Sequence, residues 1–324
     1  MRTRTTVHFR GFTVVELLTV AACISVSMSM LLPAVQDARD AQRRSQCMNN
    51  VKMIALAVHN YHDVFNGFPP GWVSRSRDSE SEGGWGWQAR LLPYMEQATL
   101  YNKLDLVNPM TDADGLLTEA VSVLRCPADD EAPKQNPFRG GYGLSSYSAC
   151  SGTLPANRWL DGRMESFWPG SVPTFAIGNI GGGNPANAAE SAVEVPALDA
   201  AVAMTPNGLF GLNFSAKMRD ITDGTSNTIM VSERSSTSGW SIWPGAGSNR
   251  FENDVVTDVS YYSPLNRSLT GFSSVHSGGV IVGICDGSVH FMSNEIDSRP
   301  EGGVLQYLGT RAGNEVISDS PFQQ

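Results

Sequence analysis

The chain has 324 residues, of which 41% are hydrophobic and 17% are charged, and its formal net charge is -9. This length allows one large domain or two small ones beyond an anchor segment, and the acidic balance argues against nucleic-acid binding. With 32 glycines and 18 prolines, the composition favours short strands, many turns and long loops over a helical bundle.

An apolar run opens the chain. Residues 12–32 (FTVVELLTVAACISVSMSMLL) contain a single carboxylate, Glu16, and Arg2, Arg4 and Arg10 precede them. At ~1.5 Å per residue, a helix of this length can cross a hydrocarbon core of ~30 Å. The basic residues predict a cytoplasmic N-terminus, with the body on the other side of the membrane. Because an acidic side chain near the start of a membrane span is costly, Glu16 needs a functional reason.

The order of basic residues, Gly11-Phe12, Glu16 and an apolar run resembles the prepilin signal of type IV pilins and type II secretion pseudopilins. The resemblance implies that a prepilin peptidase cleaves after Gly11 and that the new first residue, Phe12, is N-methylated. It also implies that Glu16 pairs with the N-terminal amine of a neighbouring subunit, since buried opposite charges are tolerated together and expensive apart. The alternatives are a plain membrane anchor or an ordinary secretory signal, which is cleaved after its apolar run.

Helical character continues beyond Pro33, at which the helix is expected to kink or loosen. Apolar residues then recur at three- and four-residue intervals, which predicts an amphipathic helix with one face against the body. These residues are Val35, Ala38, Cys47, Val51, Ile54, Val58 and Tyr61. Gly67 and Pro69-Pro70 are predicted to end the helix, which therefore covers residues 12–65.

Four of the five cysteines lie in the exported part, where disulfides can persist. They are Cys47, Cys126, Cys150 and Cys285. Four cysteines allow three complete pairings, and the sequence alone does not choose among them. We hypothesise a Cys47–Cys126 bridge that ties the long helix to the body. Since the chain has no C-x-x-C motif and no His-rich cluster, we expect no zinc site.

Two weaker patterns bear on metal binding. His59 and His62 lie three residues apart on the predicted helix, and Asp220, Asp223 and Asn227 could offer oxygen ligands to calcium. Solvated or capping side chains and local turn hydrogen bonds are the favoured interpretations. The histidines lack a third ligand, and the acidic spacing is not that of an EF-hand. We therefore expect no cofactor, although calcium is conceivable.

The middle of the chain predicts a mixed fold. The aromatic and apolar residues of 85–101 have helical spacing, which predicts a second, shorter helix with its aromatics in the core. Residues 140–152 are predicted to form a β segment. Residues 153–208 are rich in Gly, Asn, Ala and Pro with little periodicity, which indicates a loop-rich insertion.

The C-terminal third predicts strands. Asn227 to Glu233 alternates as a strand, with a turn before it. Val280 to Cys285 and Ser288 to Met292 are predicted to form a β-hairpin around the turn residues Asp286-Gly287. The tail VLQYLGTRAGNEV predicts a short helix.

Several blocks share an order with one family. The blocks are LLPAVQDARDAQRRSQCMNNVKMIALAVHNYHD followed by FPPGW, LLPYMEQATLYN, CPADD, DITDGTSNTIMVSE, and His276 followed by nine residues and Asp286-Gly287. Together they resemble the prepilin-type proteins with an H-X9-DG C-terminal signature, a family abundant in planctomycetes whose exported domain has no known function. Ala128 and Ser232 depart from the serine and glycine that are commoner there.

The resemblance supplies no biochemical activity. For the signature residues His276, Asp286 and Gly287, a structural role is favoured over a metal or proton-transfer role, because Asp-Gly is a strong turn signal. No G-x-S-x-G, H-E-x-x-H or phosphate-loop motif is present, and no Ser/His/Asp ordering. An exported hydrolase is therefore the least favoured class, and the protein is expected not to be an enzyme.

These features predict an α+β, pilin-like architecture. It comprises a cleaved leader (1–11), a long helix (12–65) and an exported, antiparallel, β-rich body (66–324) with one or two extra helices and a signature hairpin at 270–295. The expected function is a structural subunit in the inner membrane before assembly, with its body in the periplasm or at the cell surface. Its expected partners are prepilin peptidase, neighbouring subunits and the membrane. The alternative is a membrane-tethered module that binds a glycan, a peptide or an ion.

Overall fold

The computed structural model describes residues 13–73, 84–108, 110, 115–130, 132–153, 157–160, 163–166, 207–211, 213–246, 255–260, 263–268, 270–299, 302–315, 317 and 322. It divides the chain into two compact units, and the boundary falls between Ser45 and Gln46. Gly11, Phe12 and most of the predicted 153–208 insertion lie outside the described residues.

One long helix, α1, runs from Val14 to Phe65 and contributes residues to both units. The helix continues through Pro33, where the sequence predicted a kink or a looser segment. It ends before Asn66, whose φ of 55° is left-handed. Asparagine tolerates this conformation and often follows the last helical residue. The helix therefore ends at Phe65, the last residue of the predicted range, and Asn66 rather than Gly67 takes the left-handed position.

In the first unit, α1 exposes apolar side chains on all its faces. The large apolar side chains described from Val14 to Val35 are 48–73% exposed. By length and composition, α1 is apolar enough to cross a membrane. The sequence placed Val35 and Ala38 on the buried stripe, and this was wrong, since both are exposed. The apolar period continues into residues that do not pack, so the pattern alone could not show where burial begins.

The second unit consists mainly of short strands with a few short helices. In chain order the strands are β1 (Trp72–Val73), β2 (Gly84–Gly86), β3 (Leu144–Ser145), β4 (Tyr147–Gly152), β5 (Asn157–Leu160), β6 (Arg163–Ser166), β7 (Phe210–Gly211), β8 (Phe214–Ser215), β9 (Ile229–Glu233), β10 (Ser241–Ile242), β11 (Gly245–Ala246), β12 (Val256–Asp258), β13 (Gly279–Ile284) and β14 (Val289–Ser293). The helices after α1 are α2 (Trp87–Leu91), α3 (Ala98–Tyr101) and α4 (Val304–Gly309). A long N-terminal helix with an antiparallel-rich β body confirms the α+β prediction.

The main sheet has five strands in the order β12-β4-β9-β13-β14. Only the β12–β4 pair is parallel, and the other three pairs are antiparallel. The hairpin of β13 and β14 closes at Asp286-Gly287, as the sequence predicted. Smaller sheets pair β1 and β11 with β2, β10 with β3, β5 with β6, and β7 with β8.

The predicted second helix is broken into several pieces. Its first residues form strand β2, and a 3₁₀ helix at Leu92–Met95 separates α2 from α3. Pro93 lies in this 3₁₀ helix and Glu96 adopts a left-handed φ of 61°, so a continuous α-helix cannot form here. The core assignment still holds, because Trp85 and Trp87 are 5% and 0% exposed.

The five-stranded sheet lies between α1 and α4. Along β13, Ile281 joins the core cluster that contains Val51 and Ile54 of α1. The alternate residues of β13 join a second cluster with Leu305 and Leu308 of α4. Because successive strand residues point to opposite faces, β13 is buried on both sides, and its sequence is therefore a continuous apolar run.

A glycine permits the close approach of α1 to this sheet. A Cβ atom on Gly283 would lie 2.9 Å from Val51 Cγ1 and 3.0 Å from Val231 Cγ2. Both distances are shorter than ordinary van der Waals contact, so a side chain at this position would push the helix from the strands. The buried face of α1 begins at Cys47 and includes Val51, Ile54 and Val58, each 0% exposed.

Replacing Ile54 by alanine should lower the free energy of unfolding by about 2–5 kcal/mol, because a fully buried side chain leaves a cavity between α1 and the sheet. Leu56→Ala is the matched control, since Leu56 is two residues away on the same helix and 60% exposed; its expected change is within about 0.5 kcal/mol. Denaturant unfolding of the detergent-solubilised chain measures both. Equal losses would contradict the packing described here.

Candidate functional site

Glu16 lies at the start of α1 and caps it. The backbone N–H and the hydroxyl of Thr13 both donate to Glu16 Oε2 at 2.9 Å, and the backbone N–H of Glu16 lies 3.3 Å from Thr13 Oγ1. Thr13-Val-Val-Glu16 is thus a capping box, in which two side chains satisfy N–H groups that a helix start leaves open. In this single chain the Glu16 carboxylate therefore has a local structural role.

A second site lies inside the body, where four buried side chains from distant parts of the sequence meet. Cys47, Cys126, Glu233 and His276 each contribute a sulfur, oxygen or nitrogen atom, and these atoms all lie within 4.8 Å of one another. Cys47 and Cys126 form a disulfide, the pairing hypothesised from the sequence, across 79 residues. We refer to these four residues as the Cys–Glu–His centre.

Each member of the centre comes from a different element. Cys47 lies on α1, and Cys126 follows a 3₁₀ helix at Ser122–Leu124. Glu233 is the last residue of β9, and His276 lies in the loop before β13. The sheet order places β9 beside β13, so the end of one strand lies near the start of the other.

Hydrogen bonds hold these segments in place. The Asn50 side chain donates to the carbonyl of Arg125 at 2.9 Å, which fixes the segment before Cys126 to α1. The backbone N–H of Ser273 donates to the Glu233 carbonyl at 3.0 Å. The N–H of His276 donates to Ser274 Oγ at 3.1 Å. The loop that carries His276 is therefore hydrogen-bonded to Glu233, and the carboxylate of Glu233 lies beside the His276 side chain.

Glu233 is a buried carboxylate. One of its oxygens accepts a backbone hydrogen bond, and the other faces His276. Its side chain is 2% exposed, and Oε2 accepts the backbone N–H of Ile281 at 3.0 Å. Oε1 lies 3.5 Å from His276 Nε2 but accepts no hydrogen bond from the described residues. Buried polar atoms normally have a hydrogen-bond partner, so this oxygen calls for an explanation. The neighbouring Tyr147 hydroxyl is also buried, and burial raises the pKa of Tyr147.

His276 joins Glu233 to the disulfide. Its Nε2 lies 3.7 Å from Cys126 Sγ, and its side chain is 8% exposed. The sequence favoured a structural role for this residue, with a hydrogen bond to a neighbouring loop. The structure places the imidazole among two sulfurs and a carboxylate, which are the atom types of a metal site or a redox centre, and the structural role stays a prediction.

The other signature residues, Asp286 and Gly287, lie at the far end of β13, and their turn contacts α1. Lys52 Nζ donates to the Gly287 carbonyl at 2.6 Å, and His59 lies beside Gly287. Gly287 has a φ of 83°, which favours glycine. Partial burial raises the pKa of Asp286, but hydrogen bonds from Ser288 outweigh this effect and lower it overall. The turn is thus both a hairpin closure and a contact with α1.

His62 and Asp223, which belong to the two weaker metal patterns, accept hydrogen bonds from distant parts of the chain. His62 Nε2 accepts the N–H of Met218 at 3.3 Å, and burial lowers the pKa of His59. Asp223 accepts backbone N–H groups of Gly313 and Asn314 at 2.6 and 2.7 Å. They join residues 156, 90 and 91 positions apart, so they are tertiary contacts rather than the local turn or capping hydrogen bonds that the sequence predicted. They use the carboxylate oxygens that a calcium ion would need.

The remaining body cysteines are isolated from the centre. Cys150 and Cys285 are free and fully buried. Burial raises the pKa of Cys150 to about 12 and that of Cys285 well above its ordinary value. Thiols that do not ionise are poor nucleophiles and poor metal ligands, so the sulfur chemistry of the described body is concentrated at Cys47 and Cys126.

Sequence analysis missed two residues of these sites. Glu233 was assigned only to the end of a strand, although a carboxylate that closes an apolar strand was a usable signal. Thr13 was not recognised as a cap, although Thr-x-x-Glu before an apolar run is a known helix-start pattern. The spacing of Cys47, Cys126, Glu233 and His276 carries no motif, because only the folded sheet brings them together.

The disulfide should make the body sensitive to reductant. Closing a loop of this length is worth about 4–5 kcal/mol in the chain-entropy model, so reduction in metal-free buffer should lower the free energy of unfolding by about 2–5 kcal/mol. The double variant Cys47→Ala/Cys126→Ala should show no reductant effect, whereas Cys150→Ala should respond as the wild type does. A reductant effect that survives in the double variant would contradict this assignment.

Comparison with known proteins identifies a family but supplies no activity. The model of a family described as a protein of unknown function (DUF1559) matches residues 36–299. No curated protein matches the chain, and no solved structure does. The matched range contains all four residues of the Cys–Glu–His centre and begins within α1. The chain therefore belongs to the DUF1559 family of proteins of unknown function.

Proposed function

We propose that the protein is a pilin-like or pseudopilin-like structural subunit, held in the cell envelope by the first part of α1. A DUF1559 protein with an N-terminal apolar helix is compatible with a membrane-anchored extracytoplasmic protein. The finer assignment depends on one observation. Through Val35, α1 is apolar and exposed on all faces, with the single carboxylate of Glu16 in its first turn.

The contrast along the helix supports a role in assembly. A helix that is hydrophobic all round requires an apolar environment on every side, from lipid or from other helices. The same helix continues into a segment whose Cys47, Val51 and Ile54 are fully buried in the body. Because one helix contains both the apolar segment and part of the body's core, the body is held to the lipid or the helices that surround the apolar segment. A structural subunit needs this coupling, and the proposal assigns the protein no catalytic activity.

Glu16 is the residue on which the proposal depends most. In the single chain its carboxylate is used by the Thr13 cap. The amine of a neighbouring subunit, created by cleavage before Phe12, would offer a full positive charge in a low-dielectric environment, where charge pairs are much stronger than in water. Pairing with that amine is the reason we propose for retaining a carboxylate at the start of an apolar helix.

Processing predicts a defined N-terminus. Peptide mass spectrometry of membrane and sheared-surface fractions should find a mature chain that starts at N-methyl-Phe12. A chain that starts at Met1 would mean an unprocessed tethered protein. A chain that starts beyond residue 32 would mean an ordinary secreted domain, and either result would overturn the proposal.

Two substitutions separate the charge of Glu16 from its capping role. Glu16→Gln keeps a side chain that can complete the capping box but removes the charge, so we expect normal cleavage and a loss of most of the protein from the sheared, pelletable fraction. Thr13→Ala keeps the charge and removes the cap, and should assemble as the wild type does. If Glu16→Gln assembles normally, the charge-pairing argument fails.

A further inference from the structure

We propose that the Cys–Glu–His centre is a redox-gated binding site for a divalent, thiophilic metal ion, of which Zn²⁺ is the best fit. The disulfide in this structure is the metal-free state, and the dithiol is the binding state. The proposal does not depend on pilin-like assembly.

The donor atoms match the chemistry of zinc. Two thiolates, an imidazole nitrogen and a carboxylate oxygen form a four-ligand set of the kind that Zn²⁺ binds tetrahedrally. Calcium and magnesium prefer oxygen ligands throughout, whereas sulfur and nitrogen donors favour zinc and related transition metals. All four donor residues are buried or nearly so, as in structural metal sites that exclude solvent.

Two distances within the centre fit the edges of a tetrahedron, and the one between His276 Nε2 and Glu233 Oε1 is long for a charged hydrogen bond. With bonds of ~2.3 Å to sulfur and ~2.0–2.2 Å to nitrogen and oxygen, neighbouring ligands of a zinc ion lie about 3.3–3.8 Å apart. His276 Nε2 lies 3.7 Å from Cys126 Sγ and 3.5 Å from Glu233 Oε1. A charged hydrogen bond between His276 Nε2 and Glu233 Oε1 would be about 2.7–2.9 Å long. The two sulfurs, which are joined in the disulfide, must move apart to bind one ion.

The carboxylate oxygen without a hydrogen-bond partner is the second observation that points to a ligand. Glu233 is 2% exposed, and its Oε1 has no hydrogen-bond partner among the described residues. Its other oxygen is held by the N–H of Ile281 at 3.0 Å, which fixes the free oxygen beside His276. Outer hydrogen bonds that orient a metal ligand are a usual feature of metal sites.

Charge favours a cation at the site once the two thiols have given up their protons. Two thiolates and the Glu233 carboxylate would place three negative charges within 4.8 Å of one another in a buried site, which is strongly unfavourable without compensation. A divalent ion leaves one negative charge and satisfies all four donors. In the disulfide state the sulfurs are neutral, so the affinity for a cation is low.

The conversion balances with an external dithiol as reductant. The dithiol passes two electrons to the Cys47–Cys126 bond and becomes a disulfide, and its two protons pass to the two sulfurs as the bond breaks. Zn²⁺ then binds both sulfurs and two protons are released to solvent. In either state α1 remains cross-linked to the segment that contains Cys126, through a covalent bond or through the metal.

Zinc titration of the full chain in detergent, reduced with a phosphine and then desalted without oxygen, tests the proposal. We expect one Zn²⁺ per reduced chain and none per oxidised chain. Co²⁺ in place of Zn²⁺ should give the visible spectrum of a tetrahedral site and a thiolate charge-transfer band. Bound Zn²⁺ should protect Cys47 and Cys126 from alkylation, as peptide mapping would show.

Variants identify the remaining ligands. Glu233→Gln preserves the shape of the side chain, and His276→Gln removes the imidazole; each should weaken Zn²⁺ binding at least about tenfold. His290→Gln is the matched control and should bind as the wild type does, because His290 lies in β14 and contacts Ser288 rather than the centre.

The result that overturns the proposal is a reduced wild-type chain that binds no Zn²⁺, or one whose binding is unchanged in both ligand variants. If those variants fail to fold, the Co²⁺ spectrum and the alkylation map of the wild type decide. A Co²⁺ spectrum without thiolate character, or no protection of Cys47 and Cys126, also overturns it.

Discussion

The burial of one face of α1 against the five-stranded sheet is the interaction on which the body depends. Val51 and Ile54 are fully buried there, and Gly283 lets the helix approach β13 without a side chain between them. The Cys47–Cys126 disulfide adds a covalent link at the start of the buried face. The same helix extends into the exposed apolar segment. The packing that stabilises the body therefore also holds this segment to the body.

The H-X9-DG signature acquires a physical meaning from this attachment. Its histidine lies at the disulfide, and its Asp-Gly turn receives a hydrogen bond from Lys52 of α1. Strand β13 runs between the two ends, so the histidine nitrogen lies within 4.8 Å of the Cys47 sulfur of α1 and the turn contacts Lys52 of the same helix. The nine residues between His276 and Asp286 thus contain the whole of β13, which packs against α1. This account concerns structure, and it leaves room for chemistry at the histidine.

The Cys–Glu–His centre and the capped start of α1 illustrate two ways in which charge is placed in an apolar setting. At the helix start, Glu16 is exposed and its Oε2 accepts two hydrogen bonds from Thr13. In the body, Glu233 is buried and retains one oxygen without a hydrogen-bond partner in the described residues. Buried carboxylates are costly unless they are paired or bound to a cation, so the second arrangement calls for a ligand more strongly than the first.

Much of the architecture could be predicted from the sequence, because it depends on local patterns. The apolar period of α1, the strands β9 and β13 and the Asp286-Gly287 turn are encoded within a few residues of one another. The helix predicted across 85–101 failed because a proline and a left-handed Glu96 interrupt the period locally. These are errors of local conformation, and closer attention to Pro93 would have reduced them.

The sequence by itself determined the long apolar N-terminal helix, the β-rich character of the body and the turn of its signature hairpin, since each follows from periodicity and turn chemistry. Only the tertiary structure decided where burial on α1 begins and which residues form the Cys–Glu–His centre. Cys47, Cys126, Glu233 and His276 are separated by tens of residues or more, and no spacing rule links them. Their proximity follows from the strand order and from the docking of α1 on the sheet, which are properties of the whole fold.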